Sequence, residues 1–139
     1  MKIDNMNNYG IVLLRISLGV MFLMHSIVLK MFTYGLPGTA NFFESVGLPG
    51  MLAYVTFIAE AIGGLLLVLG IYTRYVALIL TLPLIGAIYW VHGGNGWVFT
   101  APNGGWEYPF YLIILCIAQA LLGNGEIDIL LKNKTRASN

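Results

Sequence analysis

Residues 9–29 read YGIVLLRISLGVMFLMHSIVL, and this stretch decides the fold class. A helix that spans a bilayer needs about 20 mostly apolar residues, and Arg15 and His25 are the only basic or acidic side chains in the stretch. Ionisable groups inside a membrane are costly, so they usually face the interior of a helical bundle. The stretch therefore predicts a membrane-spanning helix with one polar inner face.

Three more apolar segments follow, at residues 51–71, 75–91 and 106–122, and the last is the weakest because its purely apolar part is short. Their continuous hydrophobicity excludes the alternating strands of a transmembrane barrel. The whole chain is 58% hydrophobic and 9% charged, with a mean hydropathy of +0.81, which is typical of a membrane protein. We predict an all-α integral membrane four-helix bundle that forms one domain over residues 1–139.

Basic residues are distributed unevenly, and this predicts the orientation. With four spans, both termini and the turn at residues 72–74 share one side of the membrane, and Lys30 is the basic residue of the other side. Both termini are therefore expected in the cytoplasm, and the loops at residues 30–50 and 92–105 outside. The basic residues of the cytoplasmic side are Lys2, Arg15, Arg74, Lys132, Lys134 and Arg136.

The outer loops have two distinctive features. The first contains the motif GLPG at residues 35–38 and again at 47–50, and residues 41–46 between them are expected to form one or two helical turns in the headgroup layer. The second is rich in glycine and aromatic residues. Trp90, Trp97 and Trp106 all fall near the outer face. They form either an interfacial aromatic belt or a lid over an outward-opening pocket.

Arg15 of the first segment and Glu60 of the second are expected to form an ion pair between closely packed helices. Gly19 in the first segment, and Gly63 and Gly64 in the second, would permit that close approach. A buried pair is weak evidence for stability, so it indicates either a functional site or a neutralised packing contact.

Four ionisable residues could also form a metal site, since two imidazoles and two carboxylates suit zinc or non-haem iron. The spacing does not favour it, because no two of the four lie three or four residues apart on one helix, and a bis-His haem is equally disfavoured. Polar groups under an aromatic rim suit a quinone-like ligand better, because its ring packs on aromatic side chains and its oxygens need hydrogen-bond donors. The four residues are His25, Glu60, His92 and Glu107.

Ordered motifs along the chain resemble the DoxX family of small four-helix membrane proteins. The resemblance runs from residue 14 to residue 131 through RISLGVMFLMHSIVLKMF, FIAEAIGGLLLVLGIYTR, His92, GGWEYPFYLIIL and GNGEIDIL. It implies a multi-pass protein of the bacterial inner membrane. The family is linked to quinone-coupled oxidation, to resistance against catechols and quinones, and to membrane complexes that handle thiol and oxidative stress.

The leading hypothesis is a membrane subunit or accessory protein of a quinone-linked oxidoreductase system. His25 or Glu60 would take or give the proton that accompanies electron transfer, and both are predicted catalytic residues. The chain has one cysteine, Cys116, and no nucleotide motif, so a soluble or membrane redox partner would supply the electrons. The expected ligand-binding residues are Arg15, His25, Glu60, His92, Trp106, Glu107 and Tyr111, with no metal.

Two alternatives stay open: a non-catalytic binder of a small lipophilic molecule, and a membrane protein that assembles or organises partner proteins. The lipid bilayer is an expected partner in every case. Glycine-rich faces permit a homo-oligomer, although no residue specifies one. The few basic residues argue against binding to nucleic acid.

Overall fold

A computed structural model describes residues 3–125 of the chain, with side chains from Met6 onward, and within them it is helical without strands. Three apolar helical stretches are long enough to cross a membrane, at Met6–Thr33, Met51–Leu69 and Thr73–Asn95, and a shorter apolar helix covers Glu107–Leu122. The prediction of an all-helical membrane bundle is confirmed. The cytoplasmic placement of the termini stays a prediction. Lys2, Asp128 and the basic residues of the C-terminal tail lie outside the described residues.

The first span consists of helix α1, Ile3–Leu23, and a π-helical continuation at Met24–Thr33. A π-helix bonds each N–H to the carbonyl five residues earlier and is wider than an α-helix. The Tyr34 N–H accordingly donates to Leu29 O at 2.9 Å, and the Thr33 hydroxyl donates to Val28 O at 2.8 Å. Such segments are rare and often accompany functional sites.

Helix α1 packs antiparallel against α3, Met51–Leu69, through glycines that allow the two backbones to touch. A Cβ atom added at Gly19 would lie 2.7 Å from Gly64 O, and one added at Gly64 would lie 2.8 Å from Gly19 O. Real Cβ atoms do not approach this closely, so the contact requires glycine on both helices. Of the glycines that the sequence indicates, Gly19 and Gly64 form the contact between the first two spans, whereas Gly63 packs against Leu80 of the third span, where an added Cβ would lie 2.9 Å from Leu80 Cδ2.

The third span is broken into helix α4, Thr73–Ile79, helix α5, Thr81–Gly86, and a second π-helical segment, Ala87–His92. Pro83 contributes to the break because it has no N–H to donate to the turn before it. Leu80 at the break is fully buried. The core lies between the spans and includes Leu18, Phe22, Leu67, Leu80, Leu112 and Cys116.

Helix α2, Leu36–Ser45, lies between the first two spans and is longer than the one or two turns expected at residues 41–46. The first GLPG motif starts this helix rather than preceding it, because Pro37 occupies the first turn, where its missing N–H has no intrahelical partner to lose. We call the end of the bundle that holds α2 and residues 93–106 the loop end.

The opposite end, the terminal end, is held together by two arginines. Arg15 Nη1 donates to Asn124 O at 2.9 Å, and Arg74 Nη1 donates to Ala120 O and Leu121 O, both at 2.9 Å. Those last two carbonyls belong to the C-terminal turn of α6, Glu107–Leu122, where helical carbonyls lack intrahelical partners and a positive charge is favourable. Arg15 and Arg74 thus connect the ends of three spans.

Candidate functional site

An ion pair between Lys30 and Glu60 is the central feature of the loop end. Lys30 Nζ lies 2.6 Å from Glu60 Oε2, and the two side chains are 18% and 9% exposed. Lys30 comes from the π-helical segment of the first span and Glu60 from the middle of α3. The pair is therefore largely buried, yet its atoms keep some access from outside the bundle.

The prediction that Arg15 pairs with Glu60 is wrong, because Lys30 occupies that position. Arg15 is buried at the terminal end, where a Cβ added at Gly70 would overlap its guanidinium. Gly70 lies ten residues beyond Glu60, which is about 15 Å along a helix axis. The register that the Gly19–Gly64 contact sets places Arg15 beside the end of α3, out of reach of Glu60.

His25 lies half-buried five residues before Lys30 in the π-helical segment of the first span. Its Nδ1 is 3.1 Å from Met21 O, and its ring is nearly parallel to that of Tyr108, with the ring centroids 6.1 Å apart and the planes at 21°. Tyr108 belongs to the first turn of α6, so this contact joins the first and last spans near the loop end. Two flat, polar rings therefore face one another in the same half of the bundle as the ion pair.

The side chains of His92 and Glu107 both contact backbone atoms of the loop of residues 93–106. His92 Nδ1 lies 2.9 Å from Gly104 O, and Glu107 Oε2 accepts a hydrogen bond from the Phe99 N–H at 3.1 Å. The side chain of Asn95 donates to Val91 O, Asn103 O and Gly104 O. Their contacts give His92 and Glu107 a structural role, and the ligand role expected of them stays a prediction.

Aromatic side chains cover this loop and the start of α6. Trp97 lies edge-on to Trp106 at 4.5 Å and near Phe110 and Tyr111 at 5.9 and 6.0 Å between ring centroids. Trp106 is half-buried and Tyr111 is 54% exposed. Trp106 and Tyr111 thus belong to one cluster with Trp97, while His25 and Glu60 make their contacts elsewhere.

Among the residues whose side chains are described, no three His, Cys, Asp or Glu side chains lie close enough together to hold a metal ion. A groove of about 210 Å³ lies on the surface between α3 and α4, and it contains no predicted site residue. Its walls are apolar and include Ile58, Ala59, Ile62, Leu66, Val76 and Ile79.

Lys30 and Tyr108 are the residues that the sequence analysis missed. Lys30 contributes to the predicted orientation alone, although it is the one basic residue assigned to the outer side and follows His25 by five positions. An antiparallel alignment on Gly19 and Gly64 places Glu60 opposite residue 23, about equally far from Arg15 and Lys30 along the first span. Helical side chains lean towards the N-terminus of their helix, which carries the Lys30 side chain towards Glu60 and the Arg15 side chain away from it. Tyr108 carried no comparable signal, because its proximity to His25 depends on how the first and last spans pack.

Known proteins are similar to this chain in sequence. A family model described as DoxX matches residues 10–93. A Bacillus subtilis protein named "Putative oxidoreductase CatD" is 40% identical over 116 residues, which cover 83% of this chain and 80% of that protein. A Haemophilus influenzae protein described as uncharacterized is 30% identical over 116 residues, covering 75% of this chain and 76% of its own. No solved structure matches.

Proposed function

Because the chain belongs to the DoxX family, a family of membrane proteins associated with oxidoreductase function, we propose that it is a membrane subunit of a quinone-linked oxidoreductase system. Its place in a cell would be the bacterial inner membrane, and its ligand a quinone or a similar aromatic lipophilic molecule. A partner protein would supply the electrons.

The Lys30–Glu60 pair is the observation that carries this proposal. A quinone takes up two electrons and two protons on reduction, so a useful site needs a donor for a carbonyl oxygen and a group that can exchange protons. Lys30 offers N–H donors and Glu60 a carboxylate, 2.6 Å apart and largely buried. Hydrogen bonds from charged groups are stronger than neutral ones, and more so away from bulk water.

His25 and Tyr108 complete the proposed site. A His side chain can exchange protons near neutral pH, and it lies on the same span as Lys30. The ring of Tyr108, which is 47% exposed, provides surface for an aromatic ring, which packs well on other rings. Arg15 is no longer part of the proposed site, since it lies at the terminal end of the bundle.

Quinone binding by the purified protein tests this proposal. The protein would be isolated in mild detergent, extracted small molecules identified by mass spectrometry, and a short-chain benzoquinone titrated into wild type, Glu60→Gln and Lys30→Met. We expect each substitution to weaken binding by about tenfold or more, which corresponds to one lost charged hydrogen bond. Glu44→Gln is the matched control, because Glu44 is an exposed carboxylate outside the pair. Equal affinity in all four proteins would refute the proposal.

A second candidate is a membrane protein that organises partner proteins through its loop end. The observation that favours it is the hydrogen-bonded loop of residues 93–106, which exposes apolar side chains: Trp97 is 40% exposed and Phe99 is 62% exposed. In that case Phe99→Ser would reduce recovery of partner proteins after mild crosslinking, while Glu60→Gln would not change ligand binding.

A further inference from the structure

We infer that α2 is a movable lid over the loop-end approach to the Lys30–Glu60 pair, hinged at Gly35 and Gly47 and latched by Thr39. The inference rests on the proposed function in one respect, since it takes the Lys30–Glu60 pair as the ligand site. The lid closes the path from the water-facing surface at the loop end to the amine of Lys30.

The contacts of α2 place it on the loop-end side of the site, against the backbone of Lys30 and against Gly50, which lies ten residues, or about 15 Å along a helix axis, before Glu60. The Thr39 hydroxyl lies 3.3 Å from the carbonyl oxygen of Lys30 and 2.9 Å from that of Gly35. At the other side, the start of α3 lies close to α2: a Cβ added at Gly50 would be 3.4 Å from Ala40 Cβ. The helix therefore bridges the backbone of Lys30 and the start of α3, at the loop end of the two elements that form the ion pair.

A shallow docking surface holds α2 in place. Thr39 and Ala40 are its buried residues, and both are small. The larger Phe42 is 47% exposed, and most of the remaining side chains of α2 are exposed or half-buried. Little apolar area is lost when such a helix lifts away, and hydrophobic stabilisation is proportional to the area removed from water.

Both ends of α2 have the backbone geometry of a hinge. Gly35 and Gly47 flank the helix with φ values of +74° and +85°, a region that favours glycine. A Cβ added at Gly47 would meet no heavy atom within 4 Å, so no side chain packs against this residue. The hydrogen bonds from Gly47 N–H to Glu44 O and from Leu48 N–H to Phe43 O belong to the C-terminal cap of α2 and can move with the helix. Glycines that bound one helix on both sides allow it to move as a unit.

The Trp-rich loop of residues 93–106, which the sequence offered as the lid, is held much more firmly than α2. Its Gly105 N–H donates to Val98 O and its Trp106 N–H to Gly96 O, in addition to the side-chain bonds of His92, Asn95 and Glu107. Opening this loop would break all of these hydrogen bonds together. Of the two loop-end elements, α2 is therefore the one that costs less free energy to move.

A reversible crosslink tests the lid directly. Ala40→Cys with Gly50→Cys, in a Cys116→Ala background, places two Cβ atoms about 3.4 Å apart, close to disulfide geometry. The Glu44 carboxylate, which would contact the new side chain at residue 50, is a flexible chain end and can move aside. Oxidation would hold α2 closed and reduction would release it.

The readout is acetylation of Lys30 by a water-soluble, membrane-impermeant N-hydroxysulfosuccinimide ester, measured by mass spectrometry against the other lysines of the chain. We expect at least a fivefold faster reaction at Lys30 after reduction than in the oxidised protein. Each single cysteine variant is the control and should show no dependence on reductant. Equal rates at Lys30 in the oxidised and reduced double variant would overturn the inference.

A second pair of variants avoids reliance on the crosslink. Thr39→Ala removes the latch. The single hydroxyl proton is shared between Gly35 O at 2.9 Å and Lys30 O at 3.3 Å, so we expect acetylation of Lys30 to rise about threefold, at the low end of the effect of one hydrogen bond. Thr39→Ser keeps the hydroxyl and should restore the slow rate, whereas a structural defect would not be rescued in this way. Unchanged labelling in Thr39→Ala would contradict the latch. Neither experiment requires a ligand, so failure of quinone binding and failure of the lid are separate results.

Discussion

At the scale of single residues, the Lys30–Glu60 pair predicts a specific pattern of stability. Glu60→Leu alone should lower the free energy of unfolding by about 2–3 kcal/mol, between the values for exposed and fully buried pairs, because it leaves the Lys30 charge without its partner. Lys30→Met combined with Glu60→Leu should recover most of this loss. Denaturant unfolding of the single and double variants in detergent measures the coupling.

The control for that cycle is Arg15→Met combined with Glu60→Leu, since Arg15 contacts the terminal end instead. Its effects should add without coupling. A coupling energy as large as that of Lys30 and Glu60 would restore the original assignment of the pair.

The sequence was a good guide to which residues avoid lipid and a poor guide to their partners. Arg15 and Glu60 are both buried, as their position in apolar segments predicts. Which basic residue reaches Glu60 depends on how far one helix is shifted along another and on the direction in which its side chain leans, and the hydrophobic pattern indicates neither.

At the scale of helices, the contact between α1 and α3 predicts a strong dependence on side-chain size. Gly19→Ala should destabilise the protein by about 1–3 kcal/mol, because the new methyl group would meet the backbone of α3. Gly10→Ala is the matched control on the same helix, since a Cβ there meets nothing within 4 Å. It should be neutral or stabilising by up to about 1 kcal/mol. Thermal unfolding in one detergent compares the two.

The side-chain hydrogen bonds that hold the loop of residues 93–106 predict a local effect on amide hydrogen exchange. Asn95→Ala removes side-chain hydrogen bonds to three carbonyls, so the amides of Gly105 and Trp106 should exchange hydrogen about tenfold faster. The midpoint of thermal unfolding should change little. Asn41→Ala, at an exposed position of α2, is the control, and similar exchange in both variants would argue against this role of the Asn95 hydrogen bonds.

Helix positions were predictable from continuous hydrophobicity, but their internal geometry was not. Nothing in the residues 24–33 distinguishes a π-helical segment from an α-helical one, because both have the same apolar character. The extent of α2 was also underestimated, since Gly-Leu-Pro-Gly is typical of a turn and Pro37 can equally well open a helix.

At the scale of the whole molecule, the distribution of basic residues predicts its direction in the membrane. In a Cys116→Ala background, Ser45→Cys at the loop end should react with an impermeant maleimide on intact spheroplasts. Tyr72→Cys, in the exposed turn between α3 and α4, should react only after permeabilisation. The reverse result would place the loop end in the cytoplasm. The sequence alone suggested this direction through charge, while the ties that Arg15 and Arg74 make at the terminal end depend on tertiary structure.

The shortness of α6 has a consequence for the surrounding lipid. Its 16 residues extend about 24 Å, whereas the hydrocarbon core of a typical bilayer is about 30 Å thick. A span this short is matched by a thinner bilayer on that side, by flanking side chains that reach out to the headgroups, or by association, each at a cost of a fraction of a kcal/mol per ångström. Proteins that deform a membrane in this way lower the shared cost when their thin sides meet, so a bilayer thicker than α6 would favour contacts that cover this helix, and a thinner bilayer would remove that preference.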